Sequence, residues 1–190
     1  RNIERDFYIK LKIALSNITS GISGIAQAYN NAMEAMEYRI IMEDKNIIRY
    51  NEIKNSQGSY YYPLEVEQRF INLIKAGDFV KSEELFEQVF EKNFSNKQTF
   101  SIQMIKCLLF DLVSTILKAM DMLDEEKSNK FFDELNPMEI LLKCETRSEL
   151  KNKMIDIIEK VCNYIDVNKK TQGKKFKENI INYISPHYKY

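Results

Sequence analysis

The chain has 190 residues, of which 44% are apolar and 29% are charged, a composition typical of a globular protein of one ordinary domain or two small ones. Only five glycines and three prolines are present, which argues against an all-β fold rich in tight turns. The net charge is zero, but residues 63–168 carry 14 basic and 20 acidic side chains, and such an acidic region repels nucleic-acid phosphates.

The first predicted elements are a strand, a helix and a second strand. Apolar and polar residues alternate over Lys10–Asn17, helical spacing follows within Ser20–Asp44, and Ile47–Tyr50 has the pattern of another strand. This order is typical of an α/β unit.

The helix within Ser20–Asp44 carries two apolar sides. One side has large residues at three- and four-residue steps, and we predict that it is the buried stripe: Ile22, Ile25, Tyr29, Ala32, Met33 and Met36. The other side is small and would let a sheet or helix lie near the backbone: Ala28, Ala32 and Ala35.

A glycine- and serine-rich segment, Ser20–Gly24, precedes this helix. Backbone N–H groups at a helix N-terminus can hold an anion. The segment lacks both the P-loop lysine and a complete GxGxxG pattern. A tight turn with a serine cap is therefore the favoured interpretation.

Composition and periodicity both change over Lys54–Tyr62, which is polar and ends in three tyrosines before Pro63. We place a linker at residues 56–62. The tyrosines Tyr60–Tyr62 suit base stacking or a ligand groove, but aromatic clusters more often serve packing. We favour packing at the seam between the α/β unit and the following helices.

Helical spacing dominates from Pro63, which we place at the first position of a helix. The apolar stripe of this helix ends at Gly77 and comprises Val66, Phe70, Leu73 and Ile74. Asp78 is predicted to cap the next helix. The apolar face of that helix comprises Phe79, Leu85, Phe86, Val89, Phe90 and Phe94.

The most apolar segment is Phe100–Leu123, which we expect to start at Thr99 and to be covered on most sides as the central helix. Its apolar positions include Ile102, Ile105, Leu108, Leu109, Leu112, Val113, Ile116, Leu117 and Met120.

The last third of the chain alternates helices with charged segments. Asp124–Lys130 is predicted to be a break, followed by short helices at Phe131–Leu135 and Pro137–Lys143. A capping box, Thr146–Glu149, opens a helix. Asn168–Lys175 is predicted to be a basic hinge. A separate helix, Phe176–Ile184, then follows, interrupted at Ser185-Pro186.

Side chains that support catalysis or metal binding are scarce. The one histidine, His187, has no partners for a metal site or a catalytic triad. The three cysteines, Cys107, Cys144 and Cys162, are widely spaced and are predicted to be reduced thiols on helix faces. We predict no catalytic, cofactor-binding, metal-binding or DNA-binding residue in this chain.

Parts of the chain resemble bacterial transcriptional regulators of the AraC type. The segment GISGIAQAYNNAMEAMEYRII is similar to the C-terminal half of a degenerate GGDEF-like module, whose helix has the form SYxEAxxALxYR. The matching residues are Ala28–Ala32, Ala35-Met36 and Tyr38-Arg39, with Ala28 and Asn31 in place of the usual Ser and Glu. No Gly-Gly-Asp/Glu signature precedes it, so cyclase chemistry is not expected.

The likeness continues through the helices. The segment from Tyr60 to Phe94, then MIKCLLFDLVSTILKAM and CETRSELKNKMIDIIEKVCNYI, resemble the helical region after that module. The sequence KENIINYISPHYKY is similar to the first helix of the AraC DNA-binding domain, through Ile180, Tyr183, Ile184 and Tyr188. The resemblance implies that both helix-turn-helix units lie beyond Tyr190. The start at Arg1 also suggests an excised fragment.

We therefore predict a mostly α fold, with a small N-terminal α/β unit followed by a helical bundle. The predicted parts are a partial GGDEF-like unit (1–55), a linker (56–62), a helical bundle (63–168) and a basic hinge with the first helix of a DNA-binding domain (169–190). The predicted role is signal relay in an AraC-type regulator, without enzymatic activity, as a homodimer that reaches DNA through a domain beyond Tyr190. The effector is not predicted.

The predicted location is the cytoplasm, or the cytoplasmic portion of a membrane-anchored regulator. A rigid spacer is compatible with the same residues. The alternative function is a self-contained helical protein-interaction module.

Overall fold

A computed structural model describes residues 11–53, 59–94, 101–121, 123 and 125–187 of the chain. The fold is mostly α with a small α/β unit near the N-terminus, which confirms the predicted fold class. The strands are β1 (Ile13–Leu15) and β2 (Ile47–Arg49). The helices are α1 (Ser23–Glu37), α2 (Tyr50–Ile53), α3 (Leu64–Ala76), α4 (Phe79–Phe94), α5 (Ile102–Met120), α6 (Glu125–Leu135), α7 (Pro137–Leu142) and α8 (Arg147–His187). A 3₁₀ turn, Tyr38–Ile40, follows α1.

The predicted strand–helix–strand order is confirmed, with strands of three residues each. The strands are parallel and pair Ile13 with Ile47 and Leu15 with Arg49. The N–H of Ile13 donates to the carbonyl of Asn46 at 2.8 Å. A parallel pair requires a crossover connection, which α1 provides.

The buried side of α1 is the small one, so the prediction for its large stripe is wrong. Ile22, Ile25, Tyr29 and Met33 are exposed, by 87% at Ile22, whereas Ala35 is completely buried. The helix contacts both strands, and alanines let its backbone approach them closely. A sheet of two short strands covers only one side of the helix.

Glycine geometry, rather than a serine cap, sets the start of α1. Gly21 has φ of 75°, a conformation that favours glycine. A Cβ on Gly24 would lie 2.7 Å from Cβ of Thr19. The N-cap residue is Ile22 and makes no side-chain capping bond, so the predicted tight turn is present but the predicted serine cap is wrong.

The chain forms two compact units, and we describe each by itself. Unit 1 contains the described residues of 11–61, 89–110 and 138–153, and unit 2 contains those of 62–88, 111–137 and 154–187. The divisions fall within helices as well as between them. The sequential domain limits proposed from composition stay predictions.

In unit 1, the interior joins the α/β unit to parts of the later helices. Its buried apolar residues are Ala35, Tyr38, Ile40, Ile41, Ile48, Ile53, Val89, Phe90, Ile102, Ile105, Leu108, Leu109, Leu141, Cys144 and Leu150. The stacked rings of Phe90 and Phe94 lie 4.4 Å apart between centroids.

In unit 2, the interior is an apolar helical core. Its buried apolar residues are Phe70, Ile71, Ile74, Leu85, Phe86, Leu112, Val113, Ile116, Ala119, Met120, Met154, Ile157, Ile158, Val161, Cys162 and Ile165. The ring of Phe131 stacks on Tyr164 at 4.1 Å between centroids.

The turn between α3 and α4 follows the predicted chemistry. Gly77 is left-handed with φ of 77°, and the N–H of Asp78 bonds to the carbonyl of Leu73 at 3.1 Å, a Schellman ending. The Asp78 carboxylate accepts from the N–H of Lys81, confirming the predicted cap. Pro63, predicted at the first helical position, is instead the N-cap of α3.

Helix α5 starts at Ile102, where Ser101 Oγ accepts from the N–H of Met104 at 3.2 Å. The predicted start at Thr99 lies outside the described residues. The predicted apolar positions of α5 are buried except Leu117, which is 41% exposed. Because Met104 and Phe110 are also exposed, α5 is covered on one side rather than on most sides.

The predicted break at Asp124–Lys130 is wrong, since α6 begins at Glu125. Glu126 and Lys130 are exposed on this helix instead of lying in a loop. The predicted interruption at Asn136-Pro137 is confirmed: Asn136 has φ of 40°, and proline disfavours a helical conformation at the preceding residue.

Helix α8 runs for 41 residues without the predicted basic hinge or the interruption at Ser185-Pro186. Contacts one helical turn apart join the first residues of the expected hinge to the preceding turn. Asn168 donates to the carbonyl of Tyr164 at 2.8 Å, and Lys170 pairs with Asp166 at 2.5 Å. Such pairs stabilise a helix locally. Tyr188, part of the AraC-like pattern, lies outside the described residues.

The capping box that opens α8 is confirmed with one change. The N–H of Glu149 donates to Oγ1 of Thr146 at 3.1 Å, as predicted. The Glu149 carboxylate, however, accepts from the N–H of Glu145 at 2.9 Å instead of from Thr146.

In the part of the chain that the structure describes, no helix combines the length and hydropathy needed to cross a bilayer.

Candidate functional site

A cavity of about 440 Å³ lies within unit 1. Its walls come from the 3₁₀ turn, the first half of α5 and the end of α7. Six of its lining residues are aliphatic: Ile40, Ile102, Ile105, Leu109, Leu141 and Leu142. Phe110 and Cys144 complete the apolar part of the lining. The volume is within the range of about 300–1,000 Å³ that is usual for small-molecule sites.

The charged lining residues are Glu37, Arg39 and Lys106. Lys106 Nζ bonds to a Glu37 carboxylate oxygen at 2.9 Å. Both side chains are more than two-fifths exposed, so solvent weakens this pair. One acid against two bases leaves the lining with one excess positive charge.

Arg39 is incompletely satisfied. Nη1 donates to the carbonyl of Met36 at 3.4 Å, and Nη2 lies 3.5 Å from a carboxylate oxygen of Glu145. Its Nε is buried and has no hydrogen-bond partner among the residues the structure describes. Buried polar atoms in proteins usually have a partner, and this donor lacks one beside a cavity.

Arg39 reaches the edge of the cavity because it lies in the 3₁₀ turn that follows α1. After α1 the backbone tightens into the 3₁₀ turn, with the N–H of Tyr38 bonded to the carbonyl of Ala35. Tyr38 and Ile40 are both buried. The side chain of Arg39, between them, is one-quarter exposed and extends along the edge of the cavity.

Cys144, on the cavity lining, is a buried free thiol. Burial, with a smaller contribution from Glu149, raises its pKa, so it stays protonated and is a poor nucleophile. Cys162 is also buried and free, and burial raises its pKa to about 11. Cys107, on α5, is free as well. Cys144 lies in the segment between α7 and α8 instead of on the predicted helix face.

A second polar feature of unit 1 is the Arg147 clamp, formed by the guanidinium of the first residue of α8. Nε donates to the carbonyl of Ile40 at 3.2 Å, and Nη1 donates to the carbonyl of Phe94 at 2.9 Å. Nη2 donates to the carbonyl of Ile41. Phe94 ends α4, and a cation near the carbonyl end of a helix is electrostatically favourable. The clamp therefore connects the 3₁₀ turn, the end of α4 and the start of α8.

The tyrosines singled out from the sequence lie elsewhere. The Tyr61 backbone exchanges two hydrogen bonds with the amide of Asn93, at 2.7 and 2.9 Å, and its ring lies 3.9 Å from Lys92 Nζ. In unit 2, the Tyr62 hydroxyl donates to Oγ1 of Thr115 at 2.9 Å. Neither tyrosine lines the cavity.

No pattern in the sequence indicated the cavity or the clamp. Arg39 entered only as part of the Tyr38-Arg39 family pattern, and Arg147 only as an inner position of the capping box. The sequence did offer one indication of the site: Arg39 is a single arginine between the apolar residues Tyr38 and Ile40. Among the described residues, no group of three or more potential ligands is placed to hold a metal ion.

Comparison with known proteins gives one informative similarity. The chain is 22% identical over 185 residues to an uncharacterized HTH-type transcriptional regulator, YtdP, from Bacillus subtilis strain 168. The alignment covers 95% of this chain and 23% of that protein. No family model matches the chain, and no solved structure matches it. The chain therefore spans about a quarter of the length of that relative.

Proposed function

We propose that this chain is the signal-relay and dimerisation region of an AraC-type transcriptional regulator. The similarity to YtdP over nearly the whole chain supports the regulatory role, and the motifs around Tyr29 and Ile180 support the AraC type. The helix-turn-helix reader belongs, in this proposal, to another part of the full-length protein. We assign no reaction to the chain, and we propose a cytoplasmic location.

The observation that carries the relay proposal is the Arg147 clamp. One guanidinium holds three backbone carbonyls, and it does so from the first residue of a helix that continues for 41 residues. Hydrogen bonds to a charged donor are stronger than neutral ones. The start of α8 is therefore fixed to the 3₁₀ turn by a small number of strong, directional contacts.

The same 3₁₀ turn also lines the cavity. Ile40 contributes its side chain to the cavity wall and its carbonyl to Arg147. A change of the turn on ligand binding would alter the geometry of the clamp and the position of the first turn of α8. The hydrogen bonds of the clamp are either formed or broken, so such a change would favour one of two conformations at the start of α8 over the other.

DNA binding by the full-length regulator tests this relay. We expect Arg147→Ala to change the affinity for the operator by about 5- to 150-fold, the usual size of coupling between sites. Arg147→Lys should behave similarly, because a lysine cannot hold three carbonyls in a planar fork. The measurement is fluorescence anisotropy with labelled operator DNA, after circular dichroism has established that each variant is folded.

The matched control is Arg69→Ala, which removes the same charge from an exposed position of α3. Unchanged affinity in Arg69→Ala and altered affinity in both Arg147 variants supports the relay. Equal affinities in all four proteins would leave a rigid spacer as the correct function.

The homodimer part of the proposal is supported by the second half of α8. Phe176 is 67% exposed and Ile180 is 41% exposed, four residues apart on one face of the helix. Exposed apolar residues at helical spacing suit pairing with a second copy. Sedimentation should show a dimer for the protein, and Phe176→Asp with Ile180→Asp should shift it to monomer.

Val167→Asp is the control for that experiment. Val167 is 62% exposed, and nine residues place it about 180° around the helix from Phe176. A dimer that survives the paired substitution, or dissociates equally with Val167→Asp, would contradict pairing through this face.

The alternative function, a self-contained protein-interaction module, is favoured by the exposed apolar side of α1. Ile22, Ile25 and Tyr29 are each more than three-fifths exposed. The reading frame of the native gene separates the two functions. A helix-turn-helix domain in the same frame supports the regulator, and a frame without any DNA-binding domain supports the interaction module.

A further inference from the structure

We propose that the unit 1 cavity binds a small monocarboxylate with an apolar body, held at its carboxylate by Arg39. The binding itself does not depend on the proposed function. Only the further step, that this carboxylate is the effector of a regulator, rests on it.

The walls of the cavity have the shape and chemistry of a small-molecule site. Ile102, Ile105 and Leu109 are at least 95% buried and present one aliphatic surface from α5. Leu141 and Ile40 close other sides. Apolar walls with a few polar groups at one edge are usual for small-molecule sites, and they favour an aliphatic or aromatic ligand body because its burial removes apolar surface from water.

The guanidinium of Arg39 has hydrogen-bonding capacity left for an anion. Its buried Nε has no partner among the described residues, and the two Nη contacts, at 3.4 and 3.5 Å, are long. An arginine presents Nε and one Nη as a planar fork that fits the two oxygens of a carboxylate. A bound carboxylate that turns this fork toward the cavity would also give the buried donor a partner.

The charges around the cavity favour a monoanion. Arg39 and Lys106 outnumber Glu37 by one positive charge in the lining, and Glu145, outside the lining, balances that charge until a ligand monoanion replaces it. A dianionic phosphate would be repelled by Glu37 and by Glu145, which already lies 3.5 Å from Arg39. Glu145 is 71% exposed at its side chain, so its hold on Arg39 is weak and a ligand carboxylate can displace it.

Isothermal titration of the protein at neutral pH tests this site with octanoate, octan-1-ol and octylamine, which share one chain and differ in charge. Octanoate should bind at least about tenfold more tightly than octan-1-ol, because the alcohol cannot form charge-assisted bonds to Arg39. Octylamine should bind most weakly, since its ammonium faces a guanidinium. Backbone NMR shifts should change at the lining residues.

Single substitutions test whether the carboxylate of octanoate binds at Arg39. Arg39→Gln should weaken octanoate binding at least about tenfold while leaving octan-1-ol binding unchanged. Glu145→Gln should tighten octanoate binding by about two- to fivefold, because it removes the competing carboxylate. Arg49→Gln is the matched control: it lies on β2, is 56% exposed at its side chain and does not line the cavity.

Three outcomes would overturn the proposal. Octanoate that fails to bind up to its solubility limit would indicate a cavity filled only by water. Equal affinity for octanoate and octan-1-ol would show that the protein does not recognise the carboxylate group. Octanoate binding that Arg39→Gln and Arg49→Gln weaken equally would place it elsewhere. If binding follows the prediction and operator affinity does not respond to octanoate, the ligand site stands and the effector role fails.

Discussion

The two compact units differ in the hydrogen bonding of their buried polar side chains, because unit 1 contains one buried donor without a partner among the described residues. In unit 2, the Ser82 hydroxyl donates to the carbonyl of Asp78 at 2.7 Å, and the Thr115 hydroxyl donates to that of Asp111 at 2.7 Å. Each polar atom is satisfied within its own helix. In unit 1, Nε of Arg39 is buried without a partner among the described residues, beside a cavity. We propose that this one unsatisfied donor belongs to a ligand site in unit 1.

Helix α8 shows the same contrast within one element. Its start belongs to unit 1 and is held by the polar Arg147 clamp. Its residues Met154, Ile158, Val161 and Ile165 belong to unit 2 and are completely buried. Directional hydrogen bonds can be switched by small movements, whereas close apolar packing resists change. We therefore expect the switchable contact to lie at the start of the helix.

The largest predicted effect is on the core of unit 2. Ile116 on α5 is completely buried, and Ile116→Ala should lower the free energy of unfolding by about 2–5 kcal/mol through lost burial and a residual cavity. Urea denaturation followed by circular dichroism measures it. A loss below about 1 kcal/mol would mean that this core is loosely packed.

The next effect is on the Arg147 clamp. Arg147→Ala leaves the carbonyls of Ile40, Ile41 and Phe94 without their charged donor, and the expected loss is about 2–3 kcal/mol. Arg69→Ala, measured in the same way, should change stability by less than about 0.5 kcal/mol. Similar losses for the two variants would show that the clamp contributes nothing specific.

A smaller effect is expected from the Tyr62 hydroxyl. Tyr62→Phe removes its hydrogen bond to Thr115 and should cost about 1 kcal/mol at neutral pH. Burial raises the pKa of Tyr62 above the ordinary range of a tyrosine, because the phenolate is poorly solvated there. The contribution of this group to stability is therefore complete below the unfolded-state pKa of about 10 and is lost as pH rises above it.

Urea midpoints measured from pH 8 upward check this sign. The wild-type protein should lose stability more steeply than Tyr62→Phe above about pH 10. Parallel pH profiles for the two proteins would mean that the hydroxyl is not buried in the folded state.

The smallest effect is predicted for the exposed side of α1 in unit 1. Ile25 is 63% exposed, so Ile25→Gln should change the free energy of unfolding by no more than about 0.5 kcal/mol. Ala35 on the same helix is completely buried and gives the contrast, because Ala35→Leu should destabilise the protein by about 1–3 kcal/mol through overpacking. Urea denaturation of both variants decides which side of the helix is covered.

Sequence periodicity predicted the buried faces of α3, α4 and α5 because each has a single apolar stripe of large residues. It chose the wrong side of α1, where both sides are apolar and the partner is a narrow sheet. The predicted hinge failed at Asn168–Lys175 because local pairs such as Lys170 with Asp166 sustain a helix that composition alone does not indicate.

The cavity and the clamp could not be predicted from the sequence, because their residues lie far apart along the chain. Glu37 and Arg39 are more than sixty residues from Lys106, and Arg147 lies more than a hundred from Ile40. Contacts at such separations depend on how several helices pack, which no local pattern specifies. The capping box was predictable because its bonds join residues within one turn.

Hydrogen exchange along α8 tests the central claim, that polar contacts of Arg147 hold the start of this helix while apolar packing holds its middle. In Arg147→Ala, the backbone amides of residues 150–154 should exchange faster than in the wild-type protein or in Arg69→Ala. Those of residues 157–165 should be unchanged. Equal exchange of residues 150–154 in all three proteins would contradict the claim.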